Sequence, residues 1–362
     1  MTDKRDILVD VKDLRVTFDV RAGIVRAVDG VSFDIKRGQT LGVIGESGCG
    51  KSITARAIMQ MIPKPGKIAT GEILYYRYSK GPNGSEQVEE INITKQDPDG
   101  AEIRRIRGGE IGMIFQEPMS SLTPVYTAGF QIGEAVKLHQ LTPVKKVGDQ
   151  MAETVMAHRK VTNEEARVVA IDMLRKVGIP KPEQRVDSYP HQLSGGQRQR
   201  VMTAIALCCS PALLIADEPT TALDVSIEAQ ILDIMRDLQK NYGMAIMFIT
   251  HNLGVIAEMA EEIVVMYMGK QVEKASAEKL FYEPKHPYTK ALLKSIPRIG
   301  KKTNERLASI EGMVPDPFHL PQGCLFHPRC PAFMQGKCDK IAPTWKTVSD
   351  NHWVSCLLYE EV

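Results

Sequence analysis

The octapeptide Gly45-Glu46-Ser47-Gly48-Cys49-Gly50-Lys51-Ser52 constrains this chain more than any other feature, because of what stands on either side of it. Thr40-Leu41-Gly42-Val43-Ile44 is an unbroken apolar run of strand length, and Ser52 to Met61 carries helix-forming residues until Pro63 stops it. Strand, glycine loop, helix is the arrangement of a phosphate loop. Its glycines let backbone amides close around phosphate oxygens, and the helix start at Ser52 and Ile53 adds partial positive charge. Lys51 then reaches the β- and γ-phosphates, and the Ser52 hydroxyl ligates Mg²⁺. An ordinary glycine turn needs neither group at those two positions.

Leu213-Leu214-Ile215-Ala216-Asp217-Glu218 supplies the matching chemistry: a buried strand ending in two carboxylates, where open α/β sheets bind ligands. Asp217 fits the acid that holds Mg²⁺, directly or through water, and Glu218 fits a base that orients or deprotonates an attacking water. Two adjacent exposed acids at a strand end are the plain alternative, and the phosphate loop in the same chain weighs against it.

Around these motifs the chain alternates strand and helix patterns. Apolar residues recur at every second position over Leu14 to Phe18 and Val28 to Ile35, which predicts an antiparallel edge sheet. Continuous apolar strands are predicted at Ile111 to Phe115, Leu213 to Ala216 and Ala245 to Thr250, with helical stretches between them, the pattern of a parallel sheet covered by helices. Gln131 to Leu193 is predicted as an inserted helical block, and the polar stretch from Arg77 to Gly109 as a surface excursion. After the hairpin-like Ile263 to Val272 prolines become frequent, which places a boundary near Lys274 and leaves a separate accessory segment.

Composition limits the classes of function. A chain of 362 residues with 43% hydrophobic side chains supplies a packed core, and 46 basic against 44 acidic residues give no basic surface for nucleic acid. The charged start Met1 to Asp6 lacks the apolar core of a secretory signal, which points to a cytoplasmic chain. No apolar run approaches the ~20 residues of a membrane span, so any span belongs to another subunit. Of the seven cysteines, Cys324, Cys330, Cys338 and Cys356 crowd the proline-rich tail, where a metal site reads better than disulfides. Their spacing is wider than the close pairs of most zinc sites, and Cys330-Pro331 is similar to the Cys-Pro ending of ferredoxin motifs. Iron-sulfur, zinc and plain thiols all stay open on the residues alone. Cys208 and Cys209 read as small core residues, and at Cys49 the backbone matters more than the sulfur, although a helix start can lower a thiol pKa and open the loop to thiol reagents.

Leu193-Ser194-Gly195-Gly196-Gln197 carries the family resemblance. Ser194 with Gln197 forms a capping box for the helix that follows, but capping does not require two glycines. With phosphate loop, acidic strand and this pentapeptide in order, residues 7 to 275 resemble ATP-binding cassette proteins. The resemblance implies a RecA-like parallel-sheet core, an antiparallel β subdomain and a helical subdomain over about 117–195, within a cassette spanning 1–275. It implies ATP bound by Gly45, Glu46, Ser47, Gly48, Cys49, Gly50, Lys51, Ser52 and Ile53, and a head-to-tail pair of cassettes in which Ser194, Gly195, Gly196 and Gln197 face the partner's nucleotide. Gln116 aligns with the glutamine that touches Mg²⁺, Asp224 with the aspartate that communicates between sites, His251 with the histidine that contacts the γ-phosphate, and Phe18 with the aromatic against adenine. Catalysis then falls to Glu218, His251, Gln116 and Lys51.

The tail refines the resemblance. His286-Pro287-Tyr288-Thr289-Lys290-Ala291-Leu292-Leu293, Gly323-Cys324 and Arg329-Cys330-Pro331 closely resemble the C-terminal extension of oligopeptide and dipeptide importer ATPases. That likeness gives residues 276–362 as an extension with a metal cluster, and implies a [4Fe-4S] cluster on Cys324, Cys330, Cys338 and Cys356. It also implies peptide import with two transmembrane permease subunits, a second homologous ATPase chain, an extracytoplasmic substrate-binding protein, and a peripheral place on the cytoplasmic face of the cell membrane. Nickel or oligosaccharide uptake is the alternative cargo reading. A soluble, non-transport cassette ATPase is the alternative class, disfavoured by single motif copies and the absence of heptad stretches.

Overall fold

The computed structural model describes residues 6–80, 84–115, 146–159, 161–220, 225–295 and 310–360. By its internal contacts the chain divides into two units, Met1–Pro98 with Phe248–Val362, and Asp99–Met247.

The first unit opens with two long strands, β1 (Ile7–Val20) and β2 (Gly23–Lys36), paired antiparallel. Buried and less buried residues alternate along the second half of β2, so Val31, Phe33 and Ile35 face inward, as the period of two requires. β3 (Thr40–Ile44) is buried at every residue and leads through the glycine loop into α1 (Lys51–Ile58). β4 (Gly66–Lys80) pairs with the other side of β1, and β5 (Glu86–Asn92) extends the sheet to the order β2-β1-β4-β5. The polar stretch from Arg77 is therefore not a surface excursion throughout. Its first part is an edge hairpin whose second strand is exposed over Glu86 to Glu90, so it shows no apolar period to read. Arg77 pairs with the directly opposed Glu89 at 2.7 Å.

The second unit begins with α2 (Ala101–Arg105) and β6 (Ile111–Ile114). The helices α3 (Val147–His158), α4 (Asn163–Lys176), the short α5 (Pro182–Arg185) and α6 (Gly195–Leu207) follow. Thr162 and Glu165 close a capping box at the start of α4, and α3 and α4 pack on each other and on α6. β7 (Leu213–Asp217) runs parallel to β6, fully buried. Gly112 of β6 lets α6 approach, because a β-carbon there would lie 2.4 Å from the Ala206 carbonyl oxygen. After α7 (Val225–Tyr242), β8 (Ala245–Ile249) carries the chain back into the first unit.

There α8 (Leu253–Met259) precedes the hairpin of β9 (Glu262–Tyr267) and β10 (Lys270–Ser276). Its turn residues Met268 and Gly269 both have positive φ, +47° and +76°, as a tight hairpin turn requires. β9 lies parallel to β3, Leu41 opposite Glu262. The helices α9 (Ala277–Tyr282) and α10 (Pro287–Lys294) come next, and the tail adds β11 (Trp345–Ser349) and β12 (His352–Ser355). β12 pairs with β10 and β11 with β12, so the tail builds onto the sheet edge in the run β11-β12-β10-β9-β3.

Two buried clusters fasten the tail. Glu273, fully buried, accepts hydrogen bonds from the backbone amides of Lys285 at 2.7 Å and His286 at 2.9 Å, and its carboxylate lies 2.7 Å from Nε2 of His352. Burial pushes the Glu273 carboxyl up, but the bonds from His352 and the two amides outweigh it and hold it below the ordinary carboxylate range. Beside them Phe326 packs edge-on against Tyr267 and Tyr288, with ring centroids 5.3 and 5.4 Å away.

Candidate phosphate-binding site

The loop after β3 is built for close backbone approach. A β-carbon on Gly45 would lie 2.2 Å from the carbonyl oxygen of Met266, and one on Gly50 would lie 2.2 Å from that of Ala27. Gly50, at φ +101°, caps α1, and its carbonyl accepts from the amide and the hydroxyl of Thr54 at 2.9 and 3.0 Å. The loop is anchored from the far side by the Gly269 amide donating to the Cys49 carbonyl at 3.0 Å. Lys51, buried, points its ammonium back across the loop onto the carbonyl oxygens of Gly45 and Glu46 at 2.9 and 3.1 Å. Gly45 to Ile53 thus stand together as the motif predicts.

Cys49 departs from expectation. Burial raises its thiol, and the nearby Lys51 does not offset that, so the cysteine is neither exposed nor activated as its place at a helix start suggested. Phe18 lies on β1 opposite Gly66 of β4, its ring so close that a β-carbon on Gly66 would fall 2.5 Å from it. His251 is exposed just after β8, where Asn252 caps α8 through the amide of Gly254.

In the second unit, Asp217 ends β7 almost fully buried, and Glu218 follows at φ +49°. That left-handed conformation in a residue with a β-carbon costs on the order of 1–3 kcal/mol, and such strain gathers where a side chain has to be aimed. Sequence reading missed what holds this corner. Buried Gln199 of α6 donates from Nε2 to the carbonyl of Pro219 at 2.6 Å, and the Thr220 hydroxyl donates to Glu228 at 2.7 Å. Gln199 is five residues after Ser194, on the helix capped by Ser194 and Gln197, so the capped helix and the acidic strand end are tied directly. Gln197 carries the predicted capping box, its amide 3.3 Å from the Ser194 hydroxyl. Ser194 and Gly195 are exposed, and a β-carbon on Gly195 would meet nothing within 4 Å. Among the described residues nothing requires a glycine there. Gln116 and Asp224 lie outside the described residues.

The tail cysteines share one neighbourhood. Cys356 is pushed up to about 11 by burial and by the neighbouring thiols of Cys324, Cys330 and Cys338, and the Cys324 amide donates to the Cys338 carbonyl at 2.9 Å. Among the described residues no group of three or more His, Cys, Asp or Glu side chains stands where it could hold a metal ion. Four thiols are donors that suit zinc or an iron-sulfur centre alike. Among the described residues, too, no helix is long and apolar enough to cross a membrane.

A strand, glycine loop and lysine-led helix in one unit, with an acidic strand end beside a capped glycine helix in the other, define a phosphate-loop nucleotide hydrolase of mixed α/β fold. Residues 28–221 match the ABC transporter family and residues 272–338 match the oligopeptide/dipeptide transporter C-terminal region. The chain belongs to the ABC transporter family, as an ATP-binding cassette with ATPase chemistry. It is 43% identical over 99% of both chains to a putative peptide import ATP-binding protein of Brucella melitensis. It is 42% identical, over 96% of both, to the dipeptide transport ATP-binding protein DppD of Escherichia coli. Among solved structures it resembles the ATP-binding cassette MJ0796 in a dimeric post-hydrolysis state bound to ADP and Pi, with TM-score 0.59 and 25% identity over 75% of this chain and 99% of that one.

Proposed function

We propose that this chain is the ATP-hydrolysing subunit that powers import of di- or oligopeptides through an ABC transporter. The observation that carries the reading is the joint presence of an intact phosphate loop, a strained acidic strand end and the oligopeptide/dipeptide C-terminal region on one chain. The relatives at 42–43% identity that are named for peptide or dipeptide transport support the cargo.

In this reading the phosphates of ATP take over the Lys51 ammonium from the Gly45 and Glu46 carbonyls, and the amides of the loop and of the α1 start receive the phosphate oxygens. Ser52, Asp217 and Gln116 would hold Mg²⁺, which when bound would neutralise charge on the transferred phosphoryl group. Glu218 orients or deprotonates the attacking water, and His251 steadies the γ-phosphate. Phe18 stacks on adenine, and Asp224 communicates between paired sites. Ser194, Gly195, Gly196 and Gln197 face the nucleotide of a second, homologous cassette, with two permease subunits spanning the membrane, a substrate-binding protein outside, and this chain on the cytoplasmic face. Cys324, Cys330, Cys338 and Cys356 are proposed to hold a [4Fe-4S] cluster in a cassette that spans 1–275 with its extension at 276–362. Iron and acid-labile sulfide in anaerobically purified chain, lost on Cys→Ser substitution, test that assignment.

The function is tested by ATP turnover of the chain assembled in lipid with its permease partners, with binding protein, with and without peptide. Peptide-stimulated hydrolysis supports the reading. Turnover indifferent to peptide and permease overturns the import role and leaves the nucleotide chemistry standing.

A further inference from the structure

The phosphate loop contains an acid, Glu46, beside the place where a triphosphate carries its own negative charge. That acid is met from the far end of the chain. Arg329 places a two-pronged ion pair on it, Nη1 to Oε2 at 2.8 Å and Nη2 to Oε1 at 3.0 Å, across 283 residues of sequence. The Arg329 side chain is only 4% exposed, and its other bonds are all to the same neighbourhood: Nε to the Glu311 carbonyl at 3.2 Å, Nη2 to the Ile310 carbonyl at 3.4 Å, and Nη1 to the Tyr267 hydroxyl at 3.4 Å. A second contact reaches the same loop residue. The backbone amide of Glu46 donates to the hydroxyl of Tyr288 at 2.8 Å, and the Tyr288 ring is buried against Tyr267 with centroids 4.7 Å apart.

The loop also has other anchors, Lys51 on the Gly45 carbonyl and the Gly269 amide on that of Cys49. The Arg329 and Tyr288 contacts both act on the one residue whose side chain would oppose an anionic ligand. A bidentate guanidinium neutralises that carboxylate and fixes its direction, and the tyrosine fixes its backbone. We propose that Arg329 and Tyr288 are positioning residues for ATP: through Glu46, the C-terminal segment sets the charge and shape of the phosphate loop and thereby the affinity for nucleotide. The inference rests on the reading of the loop as an ATP site.

The test is titration of the purified full chain with a fluorescent ATP analogue at fixed salt, alongside thermal melting. Arg329→Ala raises Kd by about tenfold or more, the size of a lost hydrogen-bonded charge pair beside a charged ligand. Arg329→Lys falls between, since it keeps charge without the fork. Adding Glu46→Gln to Arg329→Ala recovers most of the affinity, because the unneutralised acid is then gone. Tyr288→Phe, which keeps the ring packing, raises Kd by roughly threefold. A structural role alone predicts a lowered melting temperature with no rescue by Glu46→Gln, and that result overturns the proposal. Unchanged affinity in Tyr288→Phe and in folded Arg329→Ala overturns it equally. Wild-type chain that binds no ATP overturns the nucleotide reading itself, a different failure.

Discussion

At the scale of single residues, the acidic strand end shows how position governs chemistry. Glu218 holds a left-handed backbone at φ +49°, and the Pro219 carbonyl that follows is pinned by Gln199. A carboxylate kept there at a conformational cost supports the proposed role of Glu218 as the base. Glu218→Gln is isosteric, so ATP binding stays within about twofold while turnover falls by about 10²–10⁴, the usual share of a general base. Equal loss of both, in an equilibrium-binding and single-turnover pair, would assign Glu218 to folding instead. Cys49 gives the opposite lesson. Its place at a helix start suggested a reactive thiol, but side-chain burial, which no local motif announces, raises its pKa and closes access. Brief maleimide treatment at neutral pH is expected to leave Cys49 unlabelled by mass spectrometry and ATP binding intact; rapid labelling would contradict the burial. The loop glycines were legible because they stand in one short motif, whereas Gln199 and Arg329 act across the chain and left no signal in spacing.

At the scale of elements, period and punctuation disclosed most strands: the alternation in β1 and β2, the continuous runs of β3, β6, β7 and β8, and the β9–β10 hairpin. β5 stayed hidden because an exposed edge strand of Gln and Glu has no apolar face to betray it. The tail's strands were hidden for another reason, since β12 joins the sheet by pairing with β10, far earlier in the chain, as well as with β11. The polar cluster at that junction is expected to make docking of the tail pH-sensitive. His286 is fully buried and its pKa is pushed down to about 4 by burial, so it stays neutral in the fold well below the point where a free histidine protonates. A depressed folded pKa contributes stability that is complete above the unfolded value near 6.5 and is lost as pH falls toward 4. Glu273, also depressed, adds a second loss below the carboxylate range. Melting temperature therefore drops between pH 6.5 and 4, and His286→Asn, which keeps an acceptor at the α10 start, flattens that window. An identical slope in the variant would place the acid sensitivity elsewhere.

At the scale of the molecule, the question is which features serve this chain and which serve an assembly. Gly195 separates the two. Among the described residues a β-carbon at that position meets nothing within 4 Å, and at the first turn of α6 alanine is a better helix former than glycine by about 0.5–1 kcal/mol. Gly195→Ala is therefore expected to leave the isolated chain as stable as wild type or slightly more so, with unchanged affinity for ATP at its own phosphate loop. If Ser194 and Gly195 face the nucleotide of a second cassette, the added methyl occupies space that the partner's phosphates need, and turnover of the assembled transporter in lipid falls at least tenfold. The pairing of unchanged melting and binding with lost turnover has no explanation within one cassette. Full turnover in the assembled variant would instead make the exposed glycine incidental and remove the partner from the catalytic site.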